Sequence, residues 1–248
     1  MAFLTPWLKV LSTSQQLPIR LFCFPYAGGS SHIFRCWPET ISSKLEVCAV
    51  ELPGRGHRFS ELLMTELTAV VSAVTNAINP YLDRPYFLFG HSLGALLAYE
   101  VARSLQQKGQ IEPAHLVISG RNAPHFPVSV PPIHKLPETE FIAAIRHYNG
   151  TPEAVLENPE LLDLFLPVLR ADFTMLETYQ YRSKPQLSCP IKVYSGTTDT
   201  HTKPAGLAAW RQQTSGPFTQ KLFPGDHFFL QPQQASLLSD LSVLADQL

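Results

Sequence analysis

The stretch Phe87-Leu88-Phe89-Gly90-His91-Ser92-Leu93-Gly94-Ala95 decides the fold of this chain. It runs from a hydrophobic strand pattern into Gly-x-Ser-x-Gly and then directly into a helical pattern. In such a strand-to-helix turn, the glycines let the strand and helix approach closely, and the serine hydroxyl stands above the sheet. The N-terminus of the following helix favours developing negative charge. We therefore predict that Ser92 is a nucleophile and that His91 has a structural role.

Short apolar runs alternate with helical patterns along most of the chain. The predicted strands are residues 19–24, 47–52, 86–89, 115–119, 191–195 and 218–223, and the predicted helices are residues 31–45, 61–79, 92–108 and 233–248. Gly109 follows the third helix as its expected C-cap. Nearly continuous apolar strands are typical of a parallel sheet that is buried on both faces. The pattern predicts the α/β class, with an α/β-hydrolase fold built on a doubly wound, mostly parallel sheet.

Residues 124–185 interrupt the alternation and show no convincing strand. A proline-rich connection is followed by two helical patterns, at 139–148 and 158–179, and the second carries too many apolar residues for one buried helix face. We predict a single domain, residues 1–248, with a helical lid insertion at 124–185, which we call the lid segment. Its leucines and phenylalanines suit the wall of a chamber and an ordinary core equally well.

A nucleophilic serine needs a base, and the base needs an acid that orients it. In this fold the chain order is serine, acid, histidine. His227 is the histidine that follows the last strand, so we predict it as the base. The loop after residues 115–119 has no carboxylate, whereas the loop after residues 191–195 contains Asp199, the predicted acid. Asp226 directly precedes His227, so its side chain is expected to point away and to support the loop.

Two backbone N–H groups are expected to form an oxyanion hole. One belongs to Leu93, directly after the nucleophile. The other lies in the loop Pro25-Tyr26-Ala27-Gly28-Gly29-Ser30, whose glycines allow backbone to approach a reacting carbonyl. We assign the N–H of Ala27, with that of Tyr26 as the alternative.

The composition limits the classes of partner. The chain has 248 residues, of which 45% are hydrophobic, and its formal net charge is −1. This balance predicts neither nucleic acid nor an anionic membrane as a partner. The first residues lack the features of a signal peptide, and no apolar run is long enough to span a bilayer. We expect a cytoplasmic monomer in which Cys23, Cys48 and Cys189 are small buried residues and no cysteine binds a metal.

The sequence resembles the type II (external) thioesterases of nonribosomal peptide and polyketide biosynthesis. The matching stretches are FCFPYAGGS (22–30), ELPGRGH (51–57), FGHSLGALLA (89–98), SGRNAPH (119–125), Gly150-Thr151-Pro152, FLPVLRADFTMLETY (165–179) and GDHFFL (225–230). Two departures are visible, at Arg121-Asn122 and at Thr200-His201-Thr202, and they concern loop shape.

The resemblance implies hydrolysis of acyl thioesters on the phosphopantetheine arm of a carrier protein, without a cofactor of the enzyme's own. The implied role is editing, the removal of stray acyl groups that block an assembly line. Carried over residue by residue, the family's catalytic groups fall on Ser92, Asp199 and His227, and its oxyanion hole on Ala27 and Leu93. The family's animal member, a medium-chain hydrolase that works with fatty acid synthase, leaves chain-length specificity open.

Other functions remain as alternatives at the level of sequence. An oxygen-ester hydrolase would use the same three residues. A catalytically silent partner of a synthase complex would keep the fold without the reaction. Cyclisation in place of hydrolysis is a further alternative, although cyclising thioesterases are usually fused to synthase modules.

Overall fold

The computed structural model describes residues 2–12, 16–127, 131–151 and 153–248. Part of the proline-rich connection of the lid segment, at 128–130, and Pro152 of the Gly-Thr-Pro stretch therefore lie outside the described residues. The strands are β1 (Ala2–Thr5), β2 (Leu8–Val10), β3 (Ile19–Phe24), β4 (Leu45–Val50), β5 (Tyr86–His91), β6 (His115–Ser119), β7 (Ile191–Gly196) and β8 (Phe218–Phe223). The α-helices are α1 (Leu67–Ile78), α2 (Leu93–Gln107), α3 (Glu138–Tyr148), α4 (Glu153–Leu156), α5 (Pro159–Glu177), α6 (Pro204–Ala208) and α7 (Gln234–Asp246).

The eight strands form one sheet in the order β1-β2-β4-β3-β5-β6-β7-β8. β1 pairs with β2 and β2 with β4 in antiparallel fashion, and all the other neighbours are parallel. β5 lies near the centre, between β3 and β6, so its carboxyl end opens at the middle of the sheet edge. The predicted mostly parallel α/β sheet is confirmed.

Alternate residues of the central strands enter two separate cores, one on each face of the sheet. In β3, Phe22 joins the core that α1 and α2 cover, whereas Leu21 joins the core that α7 covers. In β5, Leu88 and Phe87 divide in the same way. Each fully buried Leu or Phe contributes about 1.5–3 kcal/mol of transfer free energy, so both faces hold helices firmly. This two-sided burial explains why the strands read as continuous apolar runs.

The edge strand β8 differs from the central strands. Its middle residues, 219–222, are exposed, and they include Lys221. Lys221 and Lys192 of β7 both form ion pairs with Asp240, at 2.7 and 2.5 Å. Tyr194 of β7 donates to the same carboxylate at 2.6 Å. Helix α7 is thus fastened to the last two strands of the sheet through one acidic side chain.

The lid segment lies between β6 and β7 and contains α3, α4 and α5, with no strand among its described residues. Helix α5 begins after Asn158, whose side chain caps the helix by accepting from two backbone N–H groups, and Pro167 lies inside the helix. Residues including Phe141, Ile145 and Phe173 form a third apolar cluster within this segment. The excess of apolar residues on α5 is only partly covered, because Leu161, Leu164 and Phe165 remain 37–50% exposed.

Three predicted element assignments were wrong or incomplete. Residues 31–45 form two 3-10 turns, Ser31–Phe34 and Trp37–Glu39, and no α-helix; β4 then begins at Leu45. Their buried apolar residues mimic a helical period, but Pro38 lies at the start of the second turn. Helix α1 begins at Leu67 and not near residue 61. The hairpin of β1 and β2 was not predicted, because its strands have only four and three residues.

Candidate active site

Ser92 occupies the sharp turn between β5 and α2. Its φ of 54° and ψ of −111° are unusual for a residue other than glycine, and such strain is typical of functional turns. A methyl group on Gly90 would overlap the carbonyl of Gly94, and one on Gly94 would overlap the carbonyl of Phe24. The backbone N–H of Ser92 donates to Ser119 O at 2.8 Å, which ties the turn to β6. Both glycines of the motif are therefore required by the close approach of strand and helix.

His227 and Asp199 come together from the loops after β8 and β7. Nδ1 of His227 lies 2.9 Å from Oδ2 of Asp199, and both side chains are buried. The other carboxylate oxygen of Asp199 accepts from the N–H of His201 at 2.8 Å. Burial alone would raise the pKa of Asp199, but these hydrogen bonds and the charge of His227 outweigh it, and the pKa is lowered. Asp199 is therefore an ionised group that holds the imidazole in one orientation.

Ser92 and His227 line the same cavity, which has a volume of about 30 Å³. Within the described part of the chain, no hydrogen bond joins the two side chains. Hydrogen bonds of this kind are often long in unliganded sites and tighten when substrate binds. Leu169, Phe173 and Leu176 of α5 line the cavity from the lid side. The volume is far below the roughly 300–1,000 Å³ of pockets that take drug-sized ligands.

The two predicted oxyanion donors have free N–H groups. Among the described residues, neither the N–H of Leu93 nor that of Ala27 has a hydrogen-bond acceptor. The N–H of Leu93 is at the start of α2, where helix N–H groups lack partners inside the helix. Ala27 lines the cavity beside Ser92. The N–H of Tyr26 also has no acceptor among the residues that the structure describes, so hydrogen bonding leaves both Ala27 and Tyr26 available as the second donor.

Two residues to which the sequence assigned no role, Arg55 and Asp172, meet beside the loop of residues 25–30. Arg55, from the ELPGRGH stretch, and Asp172, from α5, form a bidentate ion pair at 2.7 and 2.8 Å. Asp172 is fully buried and Arg55 is 7% exposed. Asp172 also accepts from the N–H of Gly28 at 2.7 Å, and Arg55 donates to the carbonyl of Gly29 at 3.1 Å. The only sequence signal for these residues was that both stretches carry the family resemblance.

Glu51, from the same ELPGRGH stretch, holds the far end of the loop. Its carboxylate accepts from the N–H of Ser31 at 3.0 Å and from the hydroxyl of Ser31 at 2.7 Å. A methyl group on Gly56 would overlap this carboxylate, and Gly56 has a φ of +52°. The stretch after β4 therefore supports the loop of residues 25–30 at Gly29 and at Ser31, the residue that directly follows the loop.

His91 and Asp226 make the contacts expected of structural residues. His91 is fully buried, and its Nδ1 lies 2.9 Å from Oγ of Ser119. Burial, together with the charge of the neighbouring His227, lowers the pKa of His91 well below its usual value. The carboxylate of Asp226 accepts from the N–H of Phe228 at 2.9 Å and from the side chain of Asn149 at 3.1 Å. It thus joins the histidine loop to the end of α3.

The two departures from the family pattern contact each other. The side chain of Asn122 donates to the carbonyl of His201 at 3.2 Å and accepts from the N–H of Lys203 at 2.9 Å. The ring of His201 stacks on Tyr148 of α3, with centroids 4.2 Å apart, and lies 5.0 Å from the ring of His227. The two loops are therefore in direct contact beside the ring of His227.

His227 lies between two uncharged imidazoles. The ring of His91 is also 5.0 Å from that of His227. Burial is the main cause of the lowered pKa of His201, as it is for His91. Both neighbours stay neutral near pH 7, so neither opposes positive charge on His227.

The described residues contain no group of three or more His, Cys, Asp and Glu side chains arranged to hold a metal ion. None of the helices in the described part of the chain is long and apolar enough to cross a membrane.

Known proteins with similar sequences and structures point to one family. The family model "Thioesterase domain" matches residues 19–243. The chain is 41% identical to the gramicidin S biosynthesis protein GrsT of Aneurinibacillus migulanus over 224 residues, 90% of this chain and 88% of that protein. It is 35% identical to the medium-chain S-acyl fatty acid synthase thioesterase of Rattus norvegicus over 230 residues, 90% of this chain and 86% of that protein. The solved structure of the type II thioesterase BorB from the borrelidin biosynthetic cluster gives a TM-score of 0.89 at 32% identity, covering 96% of this chain and 97% of that one.

Proposed function

Because the chain belongs to the thioesterase domain family, we propose that it hydrolyses acyl groups from the phosphopantetheine arm of carrier proteins. Its role in this proposal is to clear stray or aberrant acyl units from a nonribosomal peptide or polyketide assembly line. The structural observation that carries the proposal is that His227, which is hydrogen-bonded to Asp199, lines one cavity with Ser92 beneath α5. The likeness to a type II thioesterase and to a gramicidin S biosynthesis protein supports the class of substrate.

The proposed reaction has two steps. His227, oriented by Asp199, takes the proton of Ser92 as the serine oxygen attacks the thioester carbonyl. The N–H groups of Leu93 and Ala27 hold the negative oxygen of the tetrahedral intermediate. The tetrahedral intermediate then collapses to an acyl-serine, and the pantetheine thiolate leaves and takes the proton from His227. His227 then takes a proton from water, which attacks this ester, and the acid is released as Ser92 regains its proton.

The small cavity supports a short acyl group, such as acetyl, as the preferred substrate. Leu169, Phe173 and Leu176 limit the space above Ser92. In the proposed single domain, residues 1–248, the lid segment at 124–185 forms the outer wall of this chamber. A longer chain requires α5 to move or a side chain to be smaller.

The proposed enzyme uses no cofactor, because the acid, the base and the oxyanion donors are all supplied by the chain. It acts as a cytoplasmic monomer. Cys23, Cys48 and Cys189 are buried thiols, which suits a reducing compartment. The partner is the carrier protein that presents the acyl arm.

Intact-protein mass spectrometry of an acetylated holo carrier protein tests the proposal. The native enzyme is expected to remove the acetyl mass, and the Ser92→Ala variant is expected to leave it. If the acetyl group stays on the carrier while the native enzyme cleaves p-nitrophenyl acetate, the chain is a hydrolase with another substrate.

The likeness to the rat enzyme gives a second candidate, medium-chain acyl hydrolysis. A series of acyl carriers from acetyl to decanoyl separates the two, since the small cavity favours the short end. A fluorophosphonate probe addresses the non-catalytic alternative, because a silent binding partner would not be labelled at Ser92.

A further inference from the structure

Helix α5 touches the loop of residues 25–30 at Gly28, through two side chains one helical turn apart. The N–H of Gly28 donates to Oδ2 of Asp172 at 2.7 Å. A methyl group on Gly28 would meet the side chain of Leu169, and Gly28 has a φ of +76°. Leu169 and Asp172 share a helix face because they are three residues apart. The loop therefore fits against α5 without any gap at this point.

Arg55 closes the contact from the opposite side. The two nitrogens that pair with Asp172 are part of a rigid planar fork, and one of them also donates to the carbonyl of Gly29. The N–H of Gly28 and the carbonyl of Gly29 are thus both fixed by one buried ion pair. Among the described residues, no other charged side chain forms a hydrogen bond with these two glycines.

The direction of the Ala27 N–H depends on the same contact. The N–H of Gly29 donates to the carbonyl of Tyr26 at 2.9 Å. The carbonyl of Tyr26 and the N–H of Ala27 belong to one planar trans peptide, so they point in opposite directions. Fixing Gly29 therefore fixes the carbonyl of Tyr26, and that carbonyl fixes where the N–H of Ala27 points.

We propose that Asp172 is a positioning residue that completes the oxyanion hole only while α5 is seated on the loop. This inference rests on the role of Ala27 in the proposed function. Taking a carboxylate and a guanidinium out of water is costly, and buried pairs are often replaceable by apolar residues without loss of stability. The value of this pair lies in the backbone geometry that it imposes on Gly28 and Gly29. The packing of α5 on the loop and the completion of the oxyanion hole then occur together.

The first test compares Asp172→Asn with Glu177→Gln, both on α5. Glu177 also accepts two backbone N–H groups, from Ile133 and His134, but these belong to the lid segment and not to the loop. With p-nitrophenyl acetate, Asp172→Asn is expected to lower kcat about 10²-fold, as for loss of one oxyanion donor, with KM within about twofold. Glu177→Gln is expected to change kcat by less than about threefold.

A trifluoromethyl ketone separates positioning from general loosening, because it forms a tetrahedral adduct with serine. Its affinity for Asp172→Asn is expected to fall in proportion to kcat, while the affinity for the acetate product is unchanged. A merely structural role would weaken both ligands together, or neither, and would overturn the proposal.

The double variant Arg55→Met/Asp172→Leu covers the case in which Asp172→Asn does not fold. It leaves no buried charge unpaired, but the N–H of Gly28 still lacks its acceptor, so kcat is expected to fall as before. Amide hydrogen exchange of the native protein needs no variant: the N–H of Gly28 is expected to be protected as strongly as the second half of α5. Normal kcat in the double variant, or rapid exchange at Gly28 beside a protected α5, overturns the proposal.

The ester substrate also keeps this inference separate from the proposed function. If the native enzyme fails on the acetylated carrier but cleaves the ester in an Asp172-dependent way, the positioning role stands and the substrate assignment falls. If ester cleavage does not depend on Asp172, the positioning role falls, whatever the natural substrate is.

Discussion

Oδ2 of Asp199 lies 2.9 Å from Nδ1 of His227, whereas the carboxylate of Asp226, one residue before the histidine, bonds to Phe228 and Asn149 instead. Two aspartates therefore flank one imidazole, and only the one that is distant in sequence orients it. Because the two carboxylates have different partners, substituting each aspartate in turn gives a matched pair of variants.

Asp199→Asn is expected to lower kcat about 10³–10⁴-fold, because the amide no longer stabilises the imidazolium or its tautomer. Asp226→Asn is expected to leave kcat within about threefold, since its contacts hold only the loop. Steady-state kinetics on an acetyl thioester measures both. Equal losses in the two variants would contradict the assignment of Asp199.

Gly94 and Gly109 separate steric overlap from backbone strain. Gly94→Ala places a methyl group against the carbonyl of Phe24, and we expect a loss of more than about 3 kcal/mol in the free energy of unfolding. Gly109, the residue after the C-cap of α2, has a φ of +66° and open space around it. Gly109→Ala is expected to lose only about 1–2 kcal/mol. Urea unfolding measures both, and the reverse order would show that the turn at Ser92 can relax.

The stability of the fold is expected to fall as the pH drops below about 6.5. Burial, first of all, and the charge of His227 lower the pKa of His91, so the unfolded chain binds a proton at this residue before the folded chain does. The contribution of His91 to stability is therefore fully present above the pKa that His91 has in the unfolded chain. It is lost as the pH falls toward the lower pKa that His91 has in the folded protein. His201, with its lowered pKa, adds to the effect in the same direction.

The His91→Gln variant measures how much His91 contributes to the pH dependence of stability. One proton limits the slope to about 1.4 kcal/mol per pH unit, and His91→Gln is expected to unfold with a shallower dependence between pH 7 and 5. Urea unfolding at several pH values measures the slope. An unchanged slope in the variant would mean that His91 is not the group that titrates.

Leu176 is expected to limit the length of the acyl chain. Leu176→Ala enlarges the cavity above Ser92, so the ratio of kcat/KM for hexanoyl over acetyl thioesters is expected to rise about tenfold. Leu164→Ala serves as the control, because Leu164 is on the same helix but 50% exposed. A similar rise in the control would mean that loosening of α5, and not cavity volume, sets the preference.

Local pattern was enough to predict the parts of the fold that local physics determines. Strands such as Ile19–Phe24 are buried on both faces, so their composition alone marks them, and the glycines around Ser92 mark the turn. The prediction of a helix at residues 31–45 was wrong because Phe34, Trp37 and Ile41 have helical spacing, although they enter the core from turns. Apolar spacing reports burial, and it identifies a helix only when the backbone permits one.

The contacts around the loop of residues 25–30 were beyond local pattern. Arg55 and Asp172 are 117 residues apart, and their pairing depends on how α5 sits on the sheet. Nothing in the spacing of charges along the chain indicates such a pair. The contact between Asp199 and His227, in contrast, was predictable, because each follows a strand of the same parallel sheet and the carboxyl ends of such strands meet at one edge.

The exposed strand β8 affects whether copies of this protein associate through the edges of their sheets at high concentration. A sheet that ends in an apolar strand invites the edge strand of another molecule to add to it, and such pairing propagates into fibres. Here the last strand carries exposed Thr219, Gln220 and Lys221, beside one exposed apolar residue, Leu222. A second copy that paired with it would have to remove water from the partly exposed ion pair of Lys221 and Asp240. The sheet thus ends in a strand whose exposed residues are mostly hydrophilic, which disfavours growth by edge-to-edge addition.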